Sequence, residues 1–204
     1  MQIKLKDGNY LARGTNRACY INPQDKTKCI KVTISGDDSE SNKEKKYYKI
    51  LKKKNISWDM LTKYHGTIET NLGEGLIFDL VRDYNGEVSK VLQYYLLTEE
   101  RTQSIMNPVL LLQGLKQYQL SNNIIIKDLN AKNIMYQKTS QTEGKLVVID
   151  GVMNNDFLPF SSYISYFSKR KINRRWRTFE SSLPGNKMFK NNQYFLKLLQ
   201  EYPF

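Results

Sequence analysis

Between residues 124 and 152 the chain reads IIIKDLNAKNIMYQKTSQTEGKLVVIDGV, a polar loop followed by two apolar runs. A polar turn around residues 137–145 separates those runs, which is the pattern of a β-hairpin. Asp128 and Asn133 fall in the loop, and Asp150 directly follows the second apolar run. Because a hairpin returns the chain to its starting point, these three polar side chains are predicted to lie side by side.

The spacing of these polar residues is typical of ATP-dependent phosphoryl transfer. Four residues separate Asp128 from Asn133, and Asp150-Gly151 begins seventeen residues after Asn133. In protein kinases the loop aspartate lies beside the attacking hydroxyl, while the loop asparagine and the strand-end aspartate hold magnesium. We therefore predict Asp128 as the catalytic carboxylate and Asn133 and Asp150 as magnesium ligands. Each motif alone is also explained by an ordinary turn, so the prediction depends on their order and apolar context.

Two charged residues upstream extend the same pattern. Lys31 lies in the predicted strand KCIKVTI (28–34), where a kinase carries its phosphate-binding lysine. Glu44 shares one face of the following predicted helix with apolar side chains and is the expected partner of Lys31. Glu40 is an alternative partner, and the spacing of Ser41 and Glu44 also fits a capping box.

The segment LARGTNRACY (11–20) occupies the place of a glycine-rich phosphate loop. The kinase pattern G-x-G-x-x-G-x-V falls here on Ala12, Gly14, Arg17 and Cys19, so only one glycine remains. Backbone contacts to phosphate would accordingly be looser. Arg17 either replaces them with a cation or obstructs closure of the cleft, and Gly14 and Arg17 are assigned to nucleotide binding.

Both cysteines fall at positions where kinases place small apolar side chains over adenine. Cys19 takes the valine position of the glycine-rich pattern, and Cys29 lies two residues before Lys31. Residues two apart in a strand share a face, so Cys29 is predicted to face the cleft with Lys31. The alternative is that the two thiols are unrelated core residues.

Several of these segments resemble the YrbL-like family of PhoP regulatory network proteins. The resemblance covers roughly residues 8 to 180 and is carried by LARGTNRACY, KCIKV, KEKKYY, KYHGTIET, IIIKDLNAKNI and VVIDG. KYHGTIET is the segment most particular to the family. By sequence pattern that family belongs to the protein-kinase-like superfamily, so the resemblance implies a kinase-like fold in a bacterial cytoplasm. It implies no particular substrate.

The predicted fold is α+β, a minimal two-lobed protein-kinase-like domain spanning residues 1–204. A small β-rich N-lobe with one helix covers about residues 1–82, and a truncated, mainly helical C-lobe covers about 83–204. Asn107-Pro108 is a strong helix start. Only about fifty residues follow Asp150, too few for the usual helices that bind peptide substrates. A small or lipid-linked acceptor is therefore favoured.

The composition excludes several other classes of protein. Hydrophobic residues make up 40% of the chain and charged residues 25%, which indicates a globular protein without a transmembrane run. Two cysteines and no recognisable signal peptide favour the cytoplasm. His65 is the only histidine and is predicted to cap a strand in a turn, because nothing nearby supports a hydrolase triad.

Basic residues are concentrated at the C-terminal end. The net charge is +12, and from Lys169 onward nine basic and two acidic residues give +7. The segment KRKINRRWR (169–177) interleaves cations with Trp176, which suits phosphate and base contacts in nucleic acid. A basic rim that attracts an anionic substrate explains the same residues and is preferred.

Three functions therefore remain open. The leading hypothesis is a phosphotransferase dependent on ATP and Mg²⁺, in which Lys31, held by Glu44, anchors phosphate. The first alternative is a pseudokinase that binds partners through a degenerate nucleotide site, favoured by the altered glycine-rich loop. The second is a basic nucleic-acid-binding protein.

Overall fold

The computed structural model describes residues 2–154 and 165–204 and has a mixed α+β architecture. A five-stranded antiparallel sheet occupies the first part of the chain, in the strand order β1-β2-β3-β5-β4. Its strands are β1 (Tyr10–Arg13), β2 (Arg17–Ile21), β3 (Lys28–Thr33), β4 (Tyr64–Thr70) and β5 (Gly73–Asp79). Both faces of the central strand β3 are covered, which explains its density of apolar and β-branched residues.

Helix α1 (Ser39–Lys53) connects β3 to β4. Its face with Tyr47, Tyr48 and Leu51 is buried, as its helical periodicity predicts, and Glu44 is buried with them. The capping-box interpretation is wrong. The helix begins two residues before Ser41, whose buried hydroxyl lies 3.2 Å from that of Thr33.

Strand β4 was not predicted, and His65 lies within it rather than in a turn. The His65 ring nitrogen Nε2 lies 2.5 Å from the carboxylate of Asp79 on the neighbouring strand β5. A bulge between Tyr64 and Gly66 offsets the pairing. This contact therefore holds the edge strand β4 against the C-terminal end of β5, where the chain leaves the sheet.

The second part of the chain begins with a three-stranded antiparallel sheet in the order β6-β7-β8. Its strands are β6 (Lys90–Val91), β7 (Ile134–Lys138) and β8 (Gly144–Val148), so the predicted hairpin is confirmed. Short helices α2 (Leu92–Leu96) and α3 (Glu99–Gln103) follow β6. Helix α4 (Pro108–Asn122) begins where predicted, with the Asn107 side chain accepting from the N–H groups of Val109 and Leu110.

Two more helices, α5 (Ser165–Ser182) and α6 (Gln193–Glu201), form the C-terminal region. Trp176 fixes α5 in place. Its side chain is completely buried, and its indole Nε1 donates to Gln119 of α4 at 3.3 Å. Lys116 of α4 also pairs with Glu180 of α5 at 2.7 Å.

One continuous apolar core runs through both parts of the chain. It joins Phe78 and Leu51 of the first part to Leu112, Ile134 and Trp176 of the second. A smaller cluster that includes Ile30 and Val32 covers the opposite face of β3. Within residues 2–154 and 165–204, every helix is too short or too polar to cross a bilayer.

Candidate active site

A cleft of about 1290 Å³ lies between the five-stranded sheet and the loop that precedes β7. Eight of the nine predicted site residues line this cleft: Gly14, Arg17, Cys19, Cys29, Lys31, Asp128, Asn133 and Asp150. The ninth, Glu44, is completely buried and does not reach the cleft wall. Residues separated by more than a hundred positions in sequence thus converge on one cavity.

Lys31 lies at the centre of the sheet and connects it to the hairpin. Its amine donates to the carbonyl of Ile149 at 2.6 Å and lies 3.8 Å from Oδ1 of Asp150. The same amine lies 4.6 Å from the ring centroid of Phe78, a favourable cation–π distance. Only 7% of the Lys31 residue surface is exposed, so its charge is fixed at the back of the cleft.

The predicted ion pair between Lys31 and Glu44 or Glu40 is wrong. Arg17 takes the place of Lys31 and forms ion pairs with both Glu44 and Asp150. Glu40 instead pairs with Lys127 at 3.0 Å. The Lys31 amine is instead bonded to the carbonyl of Ile149, and Arg17 of β2 is the cation that contacts Glu44.

The ion pairs of Asp150 also correct an expectation about metal binding. The absence of nearby basic residues in the sequence predicts a carboxylate that awaits a cation, but two cations from distant strands already contact it. Burial acts to raise the pKa of Asp150, yet the charges of Lys31 and Arg17 outweigh it and leave that pKa below its usual value. Asp150 is therefore ionised at neutral pH.

Burial dominates the electrostatics of Glu44. It raises the pKa of the carboxyl, and the charges of Arg17 and Lys31 offset only part of this effect. Burial also acts to lower the pKa of Arg17, but the two carboxylates more than compensate and hold its guanidinium charged. The charge on Glu44 thus depends on Arg17.

The loop that carries Asp128 is held by two asparagines. Nδ2 of Asn133 donates to both the carbonyl and Oδ2 of Asp128, each at 2.9 Å, and Nδ2 of Asn130 donates to Oδ1 at 2.8 Å. Asn130 was not predicted. Its side chain also accepts from the N–H of Lys132 at 2.9 Å, so it organises the loop from within.

Gly151 brings the loop and the end of β8 together. It has a positive φ of 76°, and a Cβ at this position would lie 2.8 Å from the carbonyl oxygen of Asp128. Its own carbonyl accepts from the N–H of Lys127 at 2.8 Å. Glycine is therefore needed here for both conformation and space.

Helix α1 is tied to the same loop at two points. Glu40 pairs with Lys127, as described above, and the hydroxyl of Tyr47 accepts from the backbone N–H of Ile125 at 2.8 Å. Tyr47 is buried, so this second contact is shielded from water. The helix and the loop are consequently held as one unit.

Two oxygen atoms in the cleft remain available for a metal ion. All contacts of Asp150 go through Oδ1, which also accepts from the N–H of Gly151 at 2.7 Å, so Oδ2 has no hydrogen bond among the described residues. Asn133 uses only its Nδ2 atom, which leaves its side-chain oxygen unbonded there too. A carboxylate and an amide oxygen suit Mg²⁺. The described part of the chain has no group of three His, Cys, Asp or Glu residues that would chelate a metal alone.

Both thiols line the cleft as predicted, Cys29 from strand parity and Cys19 from its place in the glycine-rich pattern. Cys19 is paired with Lys31 across β2 and β3, so the two side chains share a face with Cys29. A hydrogen bond from Cys29 lowers the pKa of Cys19, and the same interaction, together with burial, raises the pKa of Cys29. Both cysteines are free.

The C-terminal basic residues divide between two environments. Arg174 and Arg177 are exposed on the outer face of α5, whereas Arg175 lines the cleft. Because Trp176 is fully buried, it is not available to stack on a base, which contradicts the interleaved contact pattern expected for nucleic acid. The sequence predicted a basic segment here but gave no indication of which arginine faces inward.

Fold and cleft together define an α+β protein with a lysine, two aspartates and an asparagine around one cavity. The family model described as PhoP regulatory network protein YrbL matches residues 3–184. The uncharacterized protein YrbL of Escherichia coli (strain K12) is 31% identical over 180 residues, which cover 87% of this chain and 86% of that relative. The protein of the same description from Shigella flexneri is similar to the same extent. The chain therefore belongs to the YrbL family.

Proposed function

We propose that this protein binds ATP with Mg²⁺ in the cleft and transfers a phosphoryl group to a small or lipid-linked acceptor. The observation that supports this most is the convergence of Lys31, Asp128, Asn133 and Asp150 on one cavity, where the last two each keep one side-chain oxygen without a hydrogen bond among the described residues. A β-rich N-lobe and a C-lobe carrying the loop and hairpin are the arrangement expected of a minimal kinase-like fold, to which we assign the family.

Each residue has a role that follows from its contacts. Lys31 is held by Ile149 and Asp150 and presents a fixed positive charge to phosphate. Asp150 and Asn133 would hold Mg²⁺, which when bound neutralises the phosphate oxygens. Asp128 is exposed in the loop that lines the cleft and would accept the proton of the acceptor hydroxyl. The acceptor oxygen then bonds to the terminal phosphorus as the bond to ADP breaks.

The side of the cleft formed by the five-stranded sheet, here called the roof, offers an apolar surface and a polar edge for a nucleobase. Cys19 and Cys29 supply soft apolar contacts beside Phe78. Val81, where the chain leaves the five-stranded sheet, also lines the cleft, and its backbone N–H makes no hydrogen bond among the described residues. An adenine ring nitrogen is a suitable acceptor for this group.

The second candidate is a pseudokinase, and the ion pairs of Arg17 favour it. The guanidinium lies across the cleft against Asp150, where a nucleotide phosphate or its metal ion would also approach. If Arg17 does not move, the cleft is suited to regulation by binding rather than to turnover.

Calorimetric titration with ATP, with and without Mg²⁺, separates these functions. The phosphotransferase proposal expects binding that requires Mg²⁺, and loss of that binding in Asp150→Asn. ADP release in the presence of candidate acceptors then tests turnover. Binding that is indifferent to both Mg²⁺ and Asp150→Asn would favour the pseudokinase, and no nucleotide binding at all would refute both.

Asp59→Asn is the matched control for the loss of a carboxylate. Asp59 is exposed, forms a surface ion pair with Lys145, and lies outside the residues that line the cleft. It should leave Mg²⁺-dependent ATP binding unchanged. Circular dichroism of both variants checks that each remains folded.

A further inference from the structure

Arg175 is the only half-buried cationic residue of the cleft wall without a charged partner among residues 2–154 and 165–204. Lys31 and Arg17 pair with Asp150, and Lys127 pairs with Glu40. The other cations that line the cleft are exposed to solvent: Arg13, Lys90 and Lys132. Arg175 is therefore an exception in a cleft whose buried charges are otherwise neutralised.

The Nε atom of Arg175 is buried and has no hydrogen-bond partner in the structure. A buried donor left without a partner is destabilising, and more so when the group is charged. Arginine has a planar fork of donors that matches the oxygens of phosphate and carboxylate. The unsatisfied donor and the unpaired charge both point to an oxyanion as the missing partner.

Helix α5 holds Arg175 rigidly in this position. The next residue, Trp176, is the fully buried anchor of the helix. One turn earlier, the amine of Lys171 donates to the side chain of Asn154 at 2.5 Å, close in sequence to Asp150. Arg175 thus lines the cleft from α5, which is tied to the described residues that follow Asp150 through Lys171 and Asn154.

We propose that Arg175 binds an anionic group, a phosphate or a carboxylate, that the acceptor carries in addition to its reacting hydroxyl. This inference rests on the proposed function, in which the nucleotide phosphates are bound by Lys31 and the metal ligands. It makes the substrate of the enzyme an anionic hydroxyl compound. Arg175 serves in binding, and no proton or phosphoryl group passes through it.

Nuclear magnetic resonance of arginine Nε–H groups provides a direct test. The wild-type protein, saturated with ADP and Mg²⁺, is titrated with inorganic phosphate and, separately, with acetate. The resonance of Arg175, assigned by its absence in Arg175→Lys, should shift with saturable dependence on phosphate, acetate or both. The probe that gives the tighter binding identifies the anion. Acetate binding alone would identify the acceptor group as a carboxylate.

Arg175→Ala should weaken anion binding by about tenfold or more, which corresponds to about 1.4 kcal/mol. Arg174→Ala is the matched control, because Arg174 is exposed on the same helix and does not line the cleft. Equal weakening in both variants, or a wild-type Arg175 resonance that neither anion shifts, would overturn the proposal.

The binding of ATP to Arg175→Ala separates this inference from the proposed function. We expect ATP affinity in Mg²⁺ to remain as in the wild type. If ATP affinity falls together with phosphate affinity, Arg175 contacts the nucleotide and the acceptor proposal is wrong. If wild-type protein fails to bind ATP, the proposed function fails, while a phosphate or acetate titration without nucleotide still decides whether Arg175 binds anions.

Discussion

Replacing Arg17 with methionine tests the ion pairs at the centre of the cleft. The Glu44 side chain is completely buried and that of Arg17 is only 12% exposed, so Arg17→Met leaves a carboxylate without its strongest partner in a dry environment. Removal of one member of a buried ion pair costs roughly 3–5 kcal/mol. Asp150 adds little to this loss, because its side chain is 32% exposed and keeps Lys31 at 3.8 Å. We expect the free energy of unfolding to fall by about 3 kcal/mol.

The loss should depend on pH in a definite direction. The pKa of Glu44 is already raised by burial, and removal of Arg17 raises it further. A folded-state pKa above the unfolded value means that the stability contributed by protonation is present at low pH and is lost as pH rises through the folded pKa. The deficit of Arg17→Met should therefore be larger at about pH 8 than at about pH 5.

Urea unfolding followed by circular dichroism measures both effects. Lys45→Met is the matched control, because Lys45 of α1 pairs with Glu74 of β5 at 2.5 Å near the surface, where an ion pair contributes about 0–1 kcal/mol. Combining Arg17→Met with Glu44→Gln should cost about 2 kcal/mol less than the sum of the two single changes. A loss no greater than that of Lys45→Met, or one equal at both pH values, would refute the assignment of a buried, charge-compensated Glu44.

Three further predictions concern the loop, the thiols and the acid limb of stability. Gly151→Ala should destabilise the protein by about 2 kcal/mol or more in urea unfolding, because of the positive φ and the close backbone oxygen, whereas Gly185→Ala should be nearly neutral. ATP with Mg²⁺ should slow alkylation of Cys19 and Cys29 by iodoacetamide, as followed by mass spectrometry. Alkylation rates that do not change at saturating ATP would show that adenine does not lie against these thiols. The pKa of Asp150 is lowered, so its contribution to stability is present above the ordinary aspartate pKa of about 3.9 and is lost as pH falls through the folded pKa. Asp150→Asn should flatten the decline of Tm in that acid range, and an unchanged acid limb would contradict the ion pairs.

The loop and hairpin were predictable because their signals are local. The three polar residues of the site lie in one loop and the β-hairpin that follows it: Asp128, Asn133 and Asp150. Because the two apolar runs predict the hairpin, they also predict that these residues come together. Cys29 and Lys31 were placed correctly for a similar reason, since two residues of one strand separated by one position must share a face. These predictions needed no knowledge of distant contacts.

The ion-pair partners were not predictable in the same way. Helical periodicity shows that Glu44 points inward, but it does not show which cation from another strand will meet it. Arg17 reaches Glu44 and Asp150 across separations of 27 and 133 residues, and only the packed sheet fixes those contacts. Strand β4 was missed because only Tyr64 and Ile68 of its seven residues are apolar and Gly66 interrupts the pattern. Similarly, the sequence of α5 does not distinguish the inward Arg175 from its exposed neighbours.

The double attachment of α1 to the loop limits how this protein can be regulated. A helix fastened through Glu40 to Lys127 and through Tyr47 to Ile125 cannot swing away from the loop without breaking an ion pair and a buried hydrogen bond. A large displacement of this helix is therefore energetically unfavourable. The rotation of one side chain, Arg17, away from Asp150 is a much smaller rearrangement that exposes the same carboxylate. Rotation of Arg17 alone would therefore change the charge around Asp150 without moving α1 or the loop.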